Sequence, residues 1–575
     1  MSRPRGRFVL LLLALAVAPG LLGRPPGGVA AEAPPSHFRF IDIGAQAGVR
    51  RALLAGRPGK DHLLDSAGAG AAFLDYDRDG RLDIYLVNGW SLDGSRIVER
   101  GRHALYRGLP DGTFADVTER AGVGGDGQWG AGAFVADYDN DGWPDILVTN
   151  FGRNLLYRNR GDGTFENVAA RAGLESPGWN TGAAWFDADG DDDLDVYIAA
   201  YIAVSMDHVL AATRTLGWKG VEMVAFGPFG LKGAPDHYFR NDRGHFVDAT
   251  AEAGLEDKAL AFGFAVRAAD VDGDGDVDLY VANDSDANYL YRNEGKGVFK
   301  EVGAWAGCAF DEKGSSQASM GVAWGDVTGD GPPDLLVTNF SMDFSTLYAG
   351  TGDGLFEDVS RATGIGPMTF RPMGWGTVFA DLDNDADLDI VVAQGHIYPQ
   401  IDAHQEFEGT YAQRNLLAEN LGRGQRPLFR DATAQAGPGF EQAFSSRGVA
   451  AGDIDNDGDL DLLITNLDAP PSLLRNDSPG GSWLTVVPVG RSGTRGPIGT
   501  VVTVKSAGRI QRRDIAAGES YMSTQDPRPH FGLGAVTMVD EVDVRWPDGT
   551  HTVQKNVAAR QMLSVRQGGT VDGRR

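Results

Sequence analysis

The feature that most limits what this chain can fold into is a nine-residue aspartate ladder, written seven times. The first copy sets Asp75, Asp77, Asp79 and Asp83 around Gly80 and runs straight into Ile84-Tyr-Leu-Val87. The next three place Asp137, Asp139, Asp141 and Asp145; Asp187, Asp189, Asp191 and Asp195; and Asp270, Asp272, Asp274 and Asp278. The last three place Asp326, Thr328, Asp330 and Asp334; Asp381, Asp383, Asp385 and Asp389; and Asp453, Asp455, Asp457 and Asp461. Carboxylates at positions 1, 3, 5 and 9 of one short loop repel each other unless a hard cation sits among them. The copies are spaced 62, 50, 83, 56, 55 and 72 residues apart, the signature of a repeat protein with insertions.

Oxygen-only, mostly anionic ligation suits calcium, whose six to eight ligands sit at roughly 2.3–2.6 Å, so up to seven calcium sites are expected. Magnesium demands a stricter octahedron, and zinc prefers His or Cys. A helix-flanked calcium hand is excluded, because each ladder leads into a β-branched strand and lacks a glutamate at position 12. The copies are unequal. Position 6 is glycine in five loops but Asp192 in the third and Ala386 in the sixth, and the fifth has Thr328 where the others carry a third-position aspartate. Weaker binding is expected at Asp187, Asp326 and Asp381.

Each unit reads as four short strands: a small, glycine-rich strand, the aspartate loop, an apolar strand such as Ile146-Leu-Val-Thr149, an aromatic-basic phrase such as Leu155-Leu-Tyr-Arg-Asn159, and a closing strand such as Phe114-Ala-Asp-Val-Thr118. This pattern predicts an all-β fold, a seven-bladed β-propeller with calcium loops followed by a small C-terminal β domain. The closing phrase also occurs ahead of every ladder, at Phe38-Arg-Phe-Ile-Asp42, while the seventh unit lacks it after Leu473-Leu-Arg-Asn476. The N-terminal strand is therefore expected to complete the last blade and hide its edge. The propeller is placed at 38–477, a separate β domain at 482–567, and a disordered tail at 568–575.

Residues 1–31 read as a secretory signal: Arg3, Arg5 and Arg7 precede an apolar run from Phe8, and Val29-Ala30-Ala31 offers small residues before a cut. An uncleaved anchor is the alternative; after cleavage no membrane insertion is expected, and the mature chain is placed outside the cytoplasm, secreted or periplasmic. Acidic residues exceed basic ones by 27, which disfavours nucleic acid and anionic membranes. Cys308, the only cysteine, stands where sister repeats carry Val123, Leu174 and Leu255, and is expected to be a small buried hydrophobe.

The repeats resemble FG-GAP/VCBS-type calcium-loop propeller repeats, as found in integrin alpha chains. More narrowly, Leu-Tyr-Arg-Asn, Asp-Gly-Thr-Phe, Gly227-Pro-Phe-Gly-Leu-Lys-Gly-Ala-Pro-Asp236 and Gln394-Gly-His-Ile-Tyr-Pro399 resemble the cartilage acidic protein family. In that family an ASPIC/UnbV domain follows the propeller, and Gly496-Pro-Ile-Gly499, His530-Phe-Gly-Leu-Gly534 and Val544-Arg-Trp-Pro-Asp-Gly549 match its pattern. The resemblance implies a secreted calcium-binding protein, with adhesion or matrix roles in some animal relatives.

The connection from second to third strand is long at Gly89–His103, Ala203–Asp236 and Gln413's approach from Gly395, so inserts gather on the rim opposite the ladders. Trp218, Phe226 and Phe229, with His396, Tyr398, His404 and Tyr411, are the conspicuous side chains there. Asn88, Asn150, Asn283, Asn339 and Asn466 recur at the end of the second strand, where bonds to turn backbone are expected. No catalytic grouping with recognisable spacing is found, and no enzyme is expected. The reading is an extracellular binding or adhesion module, a monomer, for a protein or glycan ligand; the alternative is a secreted hydrolase or lyase acting on carbohydrate or another polymer.

Overall fold

The computed structural model describes residues 37–569, apart from 215, 219, 220, 226, 229 and 405–408, together with 572 and 573. The signal expected at 1–31, and Phe226 and Phe229, lie outside the described residues, as does the side chain of Trp218.

Between Phe40 and Asn476 the chain builds seven four-stranded antiparallel sheets. Their first strands are Ala71–Leu74, Trp129–Ala136, Asn180–Phe186, Gly263–Ala269, Val322–Gly325, Gly374–Ala380 and Ser446–Gly452. Each packs against the first strand of the next sheet, and Ser446–Gly452 packs against Ala71–Leu74, so the inner strands form a closed ring. Second strands such as Asp145–Phe151 and Asp195–Ala200 are buried at every residue. Flanked by neighbours on both faces, they read as continuous apolar runs rather than alternating ones. The all-β propeller expected from the repeats is the fold observed.

Phe40–Asp42 pairs antiparallel with Ser472–Asn476, Phe40 opposite Asn476 and Asp42 opposite Leu474, and supplies the outer strand of the last sheet. After most outer strands comes a single helical turn, such as Thr118–Ala121, Ala169–Ala172 and Gly303–Ala306. Each ends in a left-handed glycine and then a fully buried residue, and Cys308 occupies that buried place as Val123 and Leu174 do. Burial pushes its thiol pKa up.

The C-terminal segment forms two further four-stranded sheets around its own core of Leu484, Val502, Phe531, Val542, Val544 and Trp546. It also reaches back into the ring, and Ser36–Arg575 form one compact unit. The physical reason is the stretch from Ile515 to Arg528, which enters the ring along its axis. Ala517 O accepts from Trp185 N, Met522 O from Ala133 N and Thr524 O from Phe73 N, while Ser520 exchanges both backbone bonds with Val322. Glu519 pairs with Arg267 at 2.8 Å, and the Tyr521 ring sits 4.9 Å from Trp375 and 5.7 Å from Phe264. Glycines in and beside the inner strands admit this segment: a Cβ on Gly70, just ahead of Ala71–Leu74, would stand 2.0 Å from Met522 O. In the tail, Asp572–Gly573 pairs with Leu563 and Ser564 along the edge of a C-terminal sheet.

Candidate metal centres and the opposite rim

Every aspartate loop joins the first and second strands of a sheet, so all seven open on one end of the ring. The first aspartate closes its loop through amides near positions 5 and 6: Asp137 accepts from Asp141 N and Gly142 N, Asp381 from Asp385 N and Ala386 N, and Asp453 from Asp457 N and Gly458 N. This turn requires a left-handed residue at position 6. Gly80 and Gly142 have φ of 88° and 91°, and the two non-glycines adopt the same strained conformation, Asp192 at 70° and Ala386 at 80°.

The ninth aspartate ties the loop to the third strand. Asp83 accepts from Tyr76 N and Gly108 N, Asp145 from Tyr138 N and Asn159 N, Asp278 from Val271 N and Asn293 N, and Asp461 from Ile454 N and Asn476 N. Asp195, Asp334 and Asp389 do the same, so this position is structural as well as a candidate ligand.

Three carboxylates converge within 4.8 Å of one another in at least five of the loops. In the loops at Asp75, Asp137 and Asp270 they are positions 1, 3 and 9; in those at Asp187 and Asp381 they are positions 1, 3 and 5. The ladder predicted four, and the structure explains the difference in two loops. Asp79 is drawn to Arg81 and Arg107, and Asp141 to Arg158 at 2.8 Å. Asp383 is held by His37.

The donor set fits a hard cation. Asp75 Oδ1, Asp77 Oδ1, Asp139 Oδ1, Asp189 Oδ1 and Thr328 Oγ1 are buried oxygens with no hydrogen-bond partner. Such orphans cost about 1–3 kcal/mol each unless something satisfies them. Burial, reinforced by neighbouring aspartates, raises the pKa of Asp83 and Asp278 to about 8 and of Asp453 to about 7, although backbone amides or a nearby arginine pull the other way. Asp145, Asp389 and Asp461 are driven well above the ordinary carboxylate range. A divalent ion among these oxygens would offset both penalties.

Two sets of residues escaped the sequence reading. The arginine of the third-strand phrase reaches back to the ladder, as Arg107 to Asp77 at 2.6 Å and Arg158 to Asp139. The asparagine beside it joins its own loop to the preceding one: Asn159 Nδ2 donates to Tyr76 O and Pro144 O, Asn241 to Tyr138 O and Leu194 O, and Asn476 to Leu382 O and Leu460 O. The phrase repeats visibly, but its partners lie in the neighbouring sheet.

The C-terminal sheets cover this end. Arg495 bonds Asp75 at 2.7 Å, Thr494 bonds Asp137, Arg545 reaches Asp270 at 3.5 Å and Arg509 bonds Asp387 at 2.9 Å. His530 Nε2 meets Asn384 Oδ1 at 2.7 Å, and burial holds this imidazole neutral with its pKa lowered to about 3.

The opposite rim is built from the irregular connections. Arg57, in the stretch before the first sheet, pairs with Asp65 at 2.9 Å and donates to Val209 O of the 203–236 insert, while Gln400 of the 395–413 insert donates to Gly59 O. The inserts pack down: Val209, Val224, Ile397, Tyr398 and Ile401 join one core cluster, and His396 is fully buried. The five recurrent asparagines bond turn backbone as expected, for example Asn88 Nδ2 to Ala52 O and Asn283 Nδ2 to Ala287 O. At the centre of this rim lies a cavity of 570 Å³ whose walls include Tyr201, Phe264, Asp284, Phe340, Trp375 and Tyr398. Among the described residues, no helix is long and apolar enough to cross a membrane.

The family comparisons follow this division. An FG-GAP-like repeat matches at 75–148, 137–198, 270–337 and 326–392, each match beginning at the first aspartate of a ladder. The ASPIC and UnbV family matches residues 490–572. Human (Homo sapiens) cartilage acidic protein 1 is 30% identical over 331 residues, 55% of this chain and 45% of the relative. The Xenopus tropicalis protein of that name is 25% identical over 525 residues, 86% of this chain and 72% of the relative. The chain thus spans about half the length of the mammalian relatives it matches. Among solved structures, YCF48 bound to D1 peptide aligns at a TM-score of 0.39 and 9% identity, covering 79% of this chain and 99% of that one, too distant to carry an argument. The chain is an FG-GAP-repeat propeller that carries an ASPIC and UnbV domain and is similar in sequence to cartilage acidic protein 1.

Proposed function

We propose that this protein is an exported, calcium-stabilised binding module that engages a protein or glycan through the rim opposite its aspartate loops. The observation that carries the reading is the contrast between the two ends of the axis. One end is filled by residues 515–528 and covered by the C-terminal sheets; the other opens into the aromatic-walled cavity. Concave, largely apolar sites with a few placed polar groups are where ligands bind.

Calcium would be held by Asp75, Asp77 and Asp83 in the first loop, by Asp137, Asp139 and Asp145 in the second, and by the corresponding aspartates elsewhere, Asp326 with Thr328 in the fifth. Its part is structural: it neutralises crowded carboxylates and sets the rigidity of the ring. A hydrolase acting within the axial channel finds less support, because Tyr521 and its neighbours occupy that channel from the aspartate-loop end.

A protein and glycan array tests the assignment of faces. Met342, 42% exposed, lines the cavity, and Phe370, 39% exposed, is joined to it by a backbone bond, while Ile510, 64% exposed, lies on a C-terminal strand. Phe370→Glu is expected to abolish capture and Ile510→Glu to leave it intact. The reverse pattern would move the binding face to the aspartate-loop end.

A further inference from the structure

Asp284 lies in the wall of the cavity and is 9% exposed. Its Oδ2 accepts from the Tyr201 hydroxyl at 2.6 Å and its Oδ1 from the Ser285 hydroxyl at 2.8 Å. Both donors are neutral, and among the described residues no cation pairs with it. Other interior acids of this chain are differently served. Asp65 has Arg57, Glu519 has Arg267 and Asp526 has Arg528 at 2.7 Å. Asp236 and Asp257 also lack a cation, but each accepts a backbone amide, from Ala200 and Ala261 respectively, and neither borders the cavity. Asp284 alone among these joins a missing counter-charge to an open cavity. A buried charge without a partner is costly, by several kcal/mol, and burial already raises the pKa of this carboxyl.

We propose that this cavity takes an alkylammonium group, the side chain of a lysine on a protein partner, with Asp284 as its counter-charge. The proposal rests on the assignment of the binding face made above and names the chemistry that face selects. Aromatic rings favour a cation beside a carboxylate, since their faces carry partial negative charge. Tyr201, Phe264 and Tyr398 supply such rings around the space. Lysine fits better than arginine. Each Asp284 oxygen already holds one hydroxyl, so the paired, parallel bonds of a guanidinium meet an occupied edge, while a compact ammonium needs one remaining lone pair. The Trp375 ring is already engaged, with the Arg447 guanidinium 3.9 Å from its centroid. The rim points to a macromolecule over a free amine. Met342, an exposed apolar side chain, lines the opening, and its N–H donates to the backbone oxygen of a second, Phe370, at 2.8 Å. Apolar surface around a charged anchor is the anatomy of a protein-binding spot. The excess of 27 acidic residues favours a basic partner as well.

Calorimetric titration of the full, calcium-loaded chain tests this with three probes: acetyl-Gly-Lys-Gly-amide, its norleucine counterpart and butylammonium chloride. The lysine peptide is expected to bind, butylammonium to compete more weakly, and the norleucine peptide to give no heat. Asp284→Asn is expected to weaken the lysine peptide at least tenfold with an unchanged melting temperature. Should that variant fail to fold, Tyr201→Phe frees a lone pair on Asp284 and is expected to keep or strengthen binding. No heat from the lysine peptide, equal binding of the norleucine peptide, or loss of binding in Tyr201→Phe would overturn the proposal. Butylammonium binding more tightly than the peptide would overturn the choice of a protein side chain. A silent lysine peptide alongside array capture that still depends on Phe370 would remove this inference and leave the assignment of the face standing.

Discussion

At one end of the ring every sheet turns through the same nine-residue loop; at the other, no two long connections are alike. The repeated end is covered by Arg495, Arg509 and Arg545 from the C-terminal sheets, and the irregular end encloses the cavity around Asp284. The difference teaches how the two kinds of sequence are used. Repetition serves an end where seven copies of one electrostatic problem have one solution, and irregularity serves an end where a single site must differ from its surroundings.

Chelation tests the comparison most severely. Metal bound to the folded state adds RT ln(1 + [L]/Kd), about 2.7 kcal/mol per site at a hundredfold excess over Kd, and several sites act together. Addition of EDTA is expected to lower the melting temperature by the largest margin of any treatment here. An unchanged thermal scan, with no calcium by elemental analysis, would sink the metal assignment. Next in size is Tyr521→Ala, which empties the axis where the two ends meet. Loss of a fully buried aromatic costs about 3–5 kcal/mol, read from the midpoint of a urea melt; a loss below 1 kcal/mol would mean that the C-terminal segment is not bracing the ring.

Acid separates the ends in another way. His103, near the irregular end, is buried, its Nδ1 accepts from Asn88 N at 3.0 Å, and burial lowers its pKa to about 4. A base with a depressed pKa stays neutral in the fold. Its contribution is therefore complete above the unfolded value of about 6.5 and is lost as pH falls from there toward 4. Urea melts from pH 7.5 to 4.5 at constant calcium should show this loss, and His103→Gln should flatten it; an identical slope in the variant counts against the assignment. The smallest effect belongs to Ala386→Gly. At φ 80° alanine carries left-handed strain of about 1–2 kcal/mol, so glycine should stabilise the chain by about 1 kcal/mol and tighten calcium at that loop. Weaker calcium binding in the variant would show that strain does not set the rank of the sites.

Most of the repeated end was legible in the sequence, because ladder, apolar strand and closing phrase are local patterns that recur. Even the closing strand could be found, since Phe38-Arg-Phe-Ile-Asp42 repeats a phrase missing from the last unit. What resisted reading was non-local. Ile515 to Arg528 binds the ring largely through backbone amides, which leave no side-chain signature beyond the glycines that make room for them. Asn159 and Asn476 repeat in register, but nothing in a single unit tells that their amides reach the preceding loop. Asp284 is one acid among 79, and only the fold shows that its neighbours are hydroxyls and rings.

The pairing of Phe40 with Asn476 also sets an order of events. The strand synthesised first has its partner near the end of the ring, more than four hundred residues later, and until then it has nowhere to dock. Sheets one to six can each form as their own residues appear, since all their strands are neighbours in sequence. The seventh cannot, and it lacks its outer strand until the first strand of the ring returns to meet the last.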